Sequence, residues 1–210
     1  MFSRSQKCRV VQPGSGAAAA LVGYLLGTIP SADMASRVAS GGKVDLRVTG
    51  SGNPGAMNAI TQLGPGWGVT VLLADVAKGS LAAWAGERIG SESGAYLAGT
   101  AAIAGHIFPV WKRGRGGKGV ATSAGASLVL FPAYFPLDAL VAGLAAKRSA
   151  NADRAIEISS FLWAVAAIVW WRAKWPNAWG PQPNLGLPLF ALVSAAMMII
   201  RVELAKRTKR

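Results

Sequence analysis

Two glycine-rich polar stretches hold the residue types that bind anions: Gly50-Ser51-Gly52-Asn53-Pro54-Gly55-Ala56-Met57-Asn58 and Gly114-Arg115-Gly116-Gly117-Lys118-Gly119. Glycine lets backbone N–H groups approach a ligand closely. Successive N–H groups form an anion-binding concavity, and a helix N-terminus adds about half a positive charge. On this basis Gly50, Gly52, Gly55, Gly116, Gly117 and Gly119 are expected to line phosphate sites, with Arg47, Arg115 and Lys118 supplying full charges. Ser51, Asn53 and Asn58 are candidate donors to an oxyanion or a phosphate, and His106, the lone imidazole, is a candidate proton acceptor. A buried structural histidine is the other reading of His106. Each stretch adjoins a long apolar segment, so the substrates expected are phosphorylated, lipid-related molecules met at a membrane surface.

Other chemistries find less support in the residues. A P-loop requires G-x-x-x-x-G-K-[ST], and here Lys118 is followed by Gly119 with no strand before it, which argues against ATP hydrolysis. Cys8 is the only cysteine and His106 the only histidine, so no disulfide and no Cys-based or multi-histidine metal centre is expected. Asp45, Asp75 and Glu87 are too scattered along the chain to suggest a metal site. Asp75 lies deep in an apolar stretch, where a charge costs about 2.5–3.5 kcal/mol on insertion scales and must face protein or water. Lys78 follows three residues later on the same helical face and is expected to pair with it. That pair either braces the structure or borders the site.

The elements that must position these groups are membrane helices. Hydrophobic residues make up 52% of the chain and charged residues 15%, against about 25% charged in soluble domains; the mean hydropathy is +0.36. Apolar stretches cover Ala17–Ala39, Pro65–Ala85, Gly94–Trp111, Gly119–Ala146, Ile156–Trp171 and Leu185–Ile200. A spanning helix needs about 20 such residues. The fourth stretch carries Pro132 and Pro136 at its middle and reads as one kinked helix or two short ones. The expected fold is therefore an all-α polytopic bundle of six or seven spans. Segments rich in Gly and Ala, such as Gly94–Ala102, favour close helix packing.

A net charge of +13 invites a nucleic-acid reading, which the distribution of the charge opposes. Lys and Arg gather beside the apolar stretches, as the positive-inside rule requires. With seven spans and the N-terminus outside, Arg37, Lys43, Arg47, Lys112, Arg113, Arg115, Lys118, Lys147, Arg148, Arg154 and the five cations of Arg201–Arg210 face the cytoplasm. Arg4, Lys7, Arg9, Arg88, Arg172 and Lys174 face outward. No nucleic-acid partner is expected. The chain divides into a tail at residues 1–16, a single transmembrane domain at 17–203 and a basic tail at 204–210. The first apolar run is too long for a signal-peptide core and is read as a span.

The two loops together resemble the bacterial membrane-bound glycerol-3-phosphate acyltransferases that use acyl phosphate as donor. The first motif is similar to Gly50–Asn58 preceded by Asp45 and Arg47. The second is similar to Gly105–Val110 followed by Gly116–Thr122, and Gly27–Ser31 and Asp75–Gly79 also match. The resemblance implies seven spans, the N-terminus outside, the C-terminus in the cytoplasm, and a cytoplasmic-side active site in a bacterial plasma membrane. It implies acyl transfer from acyl phosphate to the 1-hydroxyl of glycerol-3-phosphate without a cofactor. The partners implied are those two substrates, membrane lipids and the enzyme that makes acyl phosphate. The chain departs from the family pattern at Met57 (Thr in the pattern), Thr61 (Arg) and Arg115 (Lys), and keeps of the third motif at most Arg201. Two alternatives stand beside this reading: a weakened relative that binds the substrates, which those departures motivate, and a small phosphate-type transporter with the basic loops at its mouth. Against transport stands the lack of an inverted repeat.

Overall fold

The computed structural model describes residues 14–137, 140 and 152–207, and among these it is helical with no strand. The helices that lie within the described residues are α1 (Ser15–Gly27), α2 (Ser31–Ser40), α3 (Ala56–Leu63), α4 (Pro65–Ile107), α5 (Val120–Leu130), α6 (Ala152–Arg172) and α7 (Gly186–Arg207). A single 3-10 turn, Val110–Lys112, interrupts the second loop. Among the described residues three segments are long and apolar enough to cross a membrane: Ser15–Ser40, Pro65–Lys112 and Gly186–Arg207. In lipid the backbone must satisfy its own polar groups, which is why these segments are helices.

The apolar stretch Ala17–Ala39 is not one continuous helix. It breaks at Thr28–Pro30, because Pro30 has no N–H to continue the ladder and the Thr28 hydroxyl donates to Leu25 O at 2.7 Å. The break turns α2 aside, and the Ile29 carbonyl, which accepts from the Ser31 N–H at 3.0 Å, takes a second donor from a side chain of α4. The next two apolar stretches form a hairpin inside α4. Gly90 and Ser91 leave helical geometry, with Ser91 at φ +57°, and the two arms fold back against each other. Gly86 faces Gly94 so closely that a Cβ on either would sit 2.3 Å from the other's carbonyl oxygen.

Small residues set the packing throughout. On α1, Gly23 and Gly27 lie one turn apart, and a Cβ there would stand 2.2 Å and 2.1 Å from the carbonyl oxygens of Ala98 and Ala102. Backbones thus approach closely where no hydrophobic force distinguishes helix from lipid. The pairing of Gly23 with Ala98 and Gly27 with Ala102 makes α1 parallel to the second arm of α4. The first arm packs on α5 in the same manner, with Gly79 against Thr122 O and Gly125 against Val76 O. There the Ser80 hydroxyl donates to Gly125 O at 2.7 Å. A larger apolar core, including Ile103, Ile107, Leu130, Trp163, Phe190 and Met198, joins α4, α5, α6 and α7; Trp163 meets Phe190 edge-on at 5.2 Å.

The fourth apolar stretch yields α5, which ends at Leu130 before Pro132. At 11 residues it is about 16 Å long, short of a full span. Its terminal carbonyls are capped from the α6–α7 connection: Trp179 Nε1 donates to Leu128 O at 2.6 Å, and Asn177 Nδ2 to Leu130 O at 3.0 Å. The rest of that stretch, with Lys147 and Arg148, lies largely outside the described residues, as does most of the N-terminal tail. The expected domain boundary at residue 204 falls inside α7, which continues to Arg207 and pairs Lys206 with Glu157 of α6.

Gly27→Leu is expected to force α1 off the second arm, at a cost of at least the 1–3 kcal/mol typical of overpacking, about what parts two close-packed backbones. The thermal unfolding midpoint of detergent-purified protein should fall relative to Gly66→Leu, at a position with open space around it and no positive φ. Equal midpoints would show that the α1–α4 contact is not needed.

Candidate active site

A cleft opens where the α1–α2 break, the second arm of α4 and both loops meet, lined among others by Ser31, Asp33, Arg47, Lys78, His106 and Lys112. Pro54, Gly116 and Gly117 complete its rim. Beneath it lies a buried polar cluster centred on Asp75. The Asp75 carboxylate accepts from the Ser31 hydroxyl, sits 2.9 Å from Lys78 Nζ and 3.7 Å from His106 Nδ1. Lys78 Nζ also donates to the Ile29 carbonyl at 3.0 Å. Three elements are thereby tied at one carboxylate. Asp75 and Lys78 do form the expected pair, and it both braces the bundle and borders the cleft.

His106 is held between Asp75 and the second loop. A Cβ on Gly117 would meet its Nε2 at 2.3 Å, so only glycine lets the loop lie over the ring. The Gly116 and Gly117 N–H groups donate to the carbonyls of Ile107 and His106 at 3.0 and 3.2 Å. In the first loop, Gly52 and Gly55 donate to Thr49 and Asn53, and Ser51 N–H to Asn58 Oδ1 at 3.0 Å. Most backbone donors that the sequence offered to an anion are thus spent inside the loops. What remains for an anion is the side-chain charge, together with the N-termini of α3 and α5. Those two begin at Gly55 and Gly119, neither with a side-chain cap.

Asn58 is buried and serves the first loop itself. Its Nδ2 donates to Leu46 O and Thr49 O at 2.9 and 3.0 Å. Its Oδ1 occupies the space a Cβ on Gly50 would need, which fits the φ of +58° at Gly50. Ser51 is exposed and Asn53 half-buried, and the cleft takes Pro54 from this loop in place of Ser51, Asn53 or Asn58.

Of the cations named from the sequence, Arg47 lines the cleft and Arg115 and Lys118 do not, and each has partners the sequence did not reveal. Arg47 crosses to the second loop, its Nε donating to Arg115 O at 3.0 Å and its guanidinium pairing with Asp33. Lys112 reaches the other oxygen of Asp33 at 3.0 Å, so one carboxylate on α2 joins both loops. Arg115 contributes its carbonyl to this junction. Lys118 pairs with Asp153 at the start of α6. From α7, Arg201 donates to Gly116 O at 2.8 Å and so clamps the second loop to the last helix. Ser31, Asp33, Lys112, Asp153 and Arg201 were not singled out as site residues from the sequence. For Ser31 a signal existed, since it falls in Gly27–Ser31, which matches the family pattern; Arg201 is at most the remnant of the third motif. Among the described residues no group of three or more His, Cys, Asp or Glu side chains is close enough to hold a metal ion.

A helical membrane bundle with a cationic cleft at one face, built from two glycine-rich loops, defines the class. Residues 17–209 match the family model described as glycerol-3-phosphate acyltransferase, and the chain belongs to that family. It is 38% identical over 150 residues to the glycerol-3-phosphate acyltransferase of Symbiobacterium thermophilum, covering 71% of this chain and 72% of that one. It is 34% identical to glycerol-3-phosphate acyltransferase 1 of Moorella thermoacetica over 85% of each. Two crystal structures of PlsY (YgiH), an integral membrane glycerol 3-phosphate acyltransferase, share the fold at 27% identity. The lysophosphatidic acid form superposes with a TM-score of 0.69 over 90% of this chain and 88% of that chain. The glycerol 3-phosphate form does so with 0.61 over 92% and 91%. The protein is a multi-pass membrane protein.

Removing the central charge tests the cluster. Asp75→Asn leaves Lys78 buried without its carboxylate, and unfolding in detergent should show a loss of about 3–5 kcal/mol. Adding Lys78→Met should recover part of that loss. A single variant as stable as the wild type would remove Asp75 from its bracing role.

Proposed function

We propose that this chain transfers an acyl group from acyl phosphate to the 1-hydroxyl of glycerol-3-phosphate, giving lysophosphatidate and phosphate. The observation that carries this is the convergence of Arg47, Lys112 and the Lys118 loop on one cleft, in a member of the glycerol-3-phosphate acyltransferase family. Two anions must meet in one place, and that cleft concentrates cations from both loops.

An acyl phosphate is a mixed anhydride whose carbonyl is already activated and whose leaving group is phosphate. No enzyme nucleophile is required, and the protein's task is positioning and charge stabilisation. Arg47 and Lys112 neutralise phosphate on the α2 side of the cleft, and Lys118 with the α5 N-terminus does so on the other. Ser31, whose hydroxyl lies at the cleft beside Lys78, helps orient the attacking alcohol. The hydroxyl proton passes to a phosphate oxygen of a substrate or of the leaving group. His106, wedged between Asp75 and Gly117, orients the second loop and is the side-chain candidate for assisting that transfer. Ser51 and Asn53 stand at the outer edge of the first loop, and Asn58 holds that loop in shape.

The topology belongs to the same proposal: seven crossings of a bacterial plasma membrane, N-terminus outside and C-terminus in the cytoplasm. Helix directions support it. Arg201 near the end of α7 and Asp153 at the start of α6 reach the second loop. The α5 C-terminus meets Asn177 and Trp179 at the opposite face. Arg37, Lys43, Lys112, Arg113, Arg154 and Arg207 accompany the loop face, whereas Arg88, Arg172 and Lys174 accompany the other.

Purified protein given radiolabelled glycerol-3-phosphate should form lysophosphatidate with acyl phosphate and not with acyl-CoA or acyl carrier protein. Robust acylation from acyl-CoA alone would overturn the donor assignment. For topology, single cysteines at Ser51 and Trp111 in a Cys8→Ser background should resist an impermeant thiol reagent in intact cells. One at Ala178 should react. Labelling at Ser51 or Trp111 without permeabilisation would reverse the orientation.

A further inference from the structure

The two ion-paired centres of the site are built differently. Asp33 takes two cations, Arg47 and Lys112, from two loops, and its side chain is 14% exposed. It is a tie between segments. Asp153 takes one cation, Lys118, and its side chain is 33% exposed. It belongs to neither loop and enters from α6.

The backbone around Lys118 is fixed by neighbours on both sides, and its side chain is held by Asp153 alone. Gly117 is held by the His106 carbonyl and Gly116 by Arg201, and Gly119 turns the chain into α5 with a φ of +87°. Only the four-carbon stem of Lys118 is left to move. An ammonium is a compact point charge that accepts a new partner without a preferred plane. With Asp153 33% and Lys118 18% exposed, water reaches the pair from the carboxylate side, and a single pair at the edge of solvent is weak and exchangeable. Gly117, the neighbouring residue, lines the cleft, whereas Lys118 held by Asp153 does not.

We propose that Asp153 is a positioning residue: its carboxylate parks Lys118 beside the cleft and yields it to the phosphate of a bound substrate. This rests on the acyltransferase reading above and assigns to it one exchange step, a carboxylate replaced on Lys118 by a phosphate. The chemistry asks only that the incoming group be a phosphate monoester or acyl phosphate, whose greater charge outcompetes one carboxylate. No covalent bond is made or broken in the exchange. Once displaced, Asp153 is stabilised where it stands, in the first turn of α6, where the helix dipole favours an anion.

Asp153→Asn removes the competitor and Asp153→Glu keeps it. Two measurements are made on intact detergent-purified protein: steady-state acyl transfer, and acetylation of Lys118 by acetic anhydride under increasing inorganic phosphate, read by peptide mass. Asp153→Asn should lower KM for a phosphorylated substrate, and the phosphate concentration that half-protects Lys118, by about two- to five-fold. Its kcat should stay near wild type, and Asp153→Glu should resemble wild type in both measurements. A purely bracing contact would instead lower kcat and the melting temperature with KM and the protection midpoint unchanged, and would overturn the proposal. If wild-type protein turns over no donor while the midpoint still falls in Asp153→Asn, the acyltransferase reading fails and the exchange stands. If turnover is normal and the midpoint does not move, the exchange fails alone.

Discussion

One buried carboxylate organises the region from which the cleft is built. Asp75 draws a hydroxyl from the start of α2, an ammonium from its own helix and an imidazole from the far arm of the α4 hairpin. Each partner comes from a different stretch of chain, and each lines the cleft. A charge cannot be left alone in the low-dielectric interior, so these stretches must meet wherever Asp75 is placed. The break at Thr28–Pro30 follows the same logic. It exposes the Ile29 carbonyl, which Lys78 fills, and turns Ser31 toward the carboxylate. A helix that ran straight through residue 30 would have spent that carbonyl internally.

Close backbone packing makes the meeting precise. Where Gly23, Gly27, Gly79 and Gly125 face neighbouring carbonyls, a single added methyl has no room. Such contacts fix the depth of one helix against the next, because small residues allow only one close register. His106 at the end of the second arm is therefore presented to Asp75 at a defined height. Gly117 then carries the second loop over the ring, and Arg201 fixes that loop from the last helix. The loops are shaped largely by their own hydrogen bonds, leaving ligand recognition to charge.

That division explains why the cations arrive paired. Arg47, Lys112 and Lys118 brought together in an empty site would repel one another. Asp33 and Asp153 hold the charge in check without filling the cleft. Two departures of this chain from its family pattern lie outside this set, while a third, Arg115, lends its carbonyl to Arg47. Met57 and Thr61 sit on α3, Met57 exposed and Thr61 donating to the Asn58 carbonyl. Arg201, at most what the chain keeps of the third motif, touches the second loop.

By itself the sequence determined the class of protein, the apolar stretches from which the described helices are cut, the pairing of Asp75 with Lys78 and the two loops that border the cleft. These features are local. An apolar run of sufficient length must be helical in lipid, and two residues three apart on a helix must be neighbours. It also showed the glycine at 117, though not that a histidine lies beneath it. Tertiary structure alone decided that Asn58 turns inward to hold its loop, and that Asp33 bridges Arg47 and Lys112. It alone brought Asp153 to Lys118 and Arg201 to Gly116, and it spent the loop N–H groups on nearby carbonyls. Residues 116 and 201 are joined through helix packing, and in a membrane apolarity marks both the lipid-facing and the protein-facing side of a helix. Periodicity therefore cannot tell which helices are neighbours, and the partners of the site's charges became visible only once the bundle was assembled.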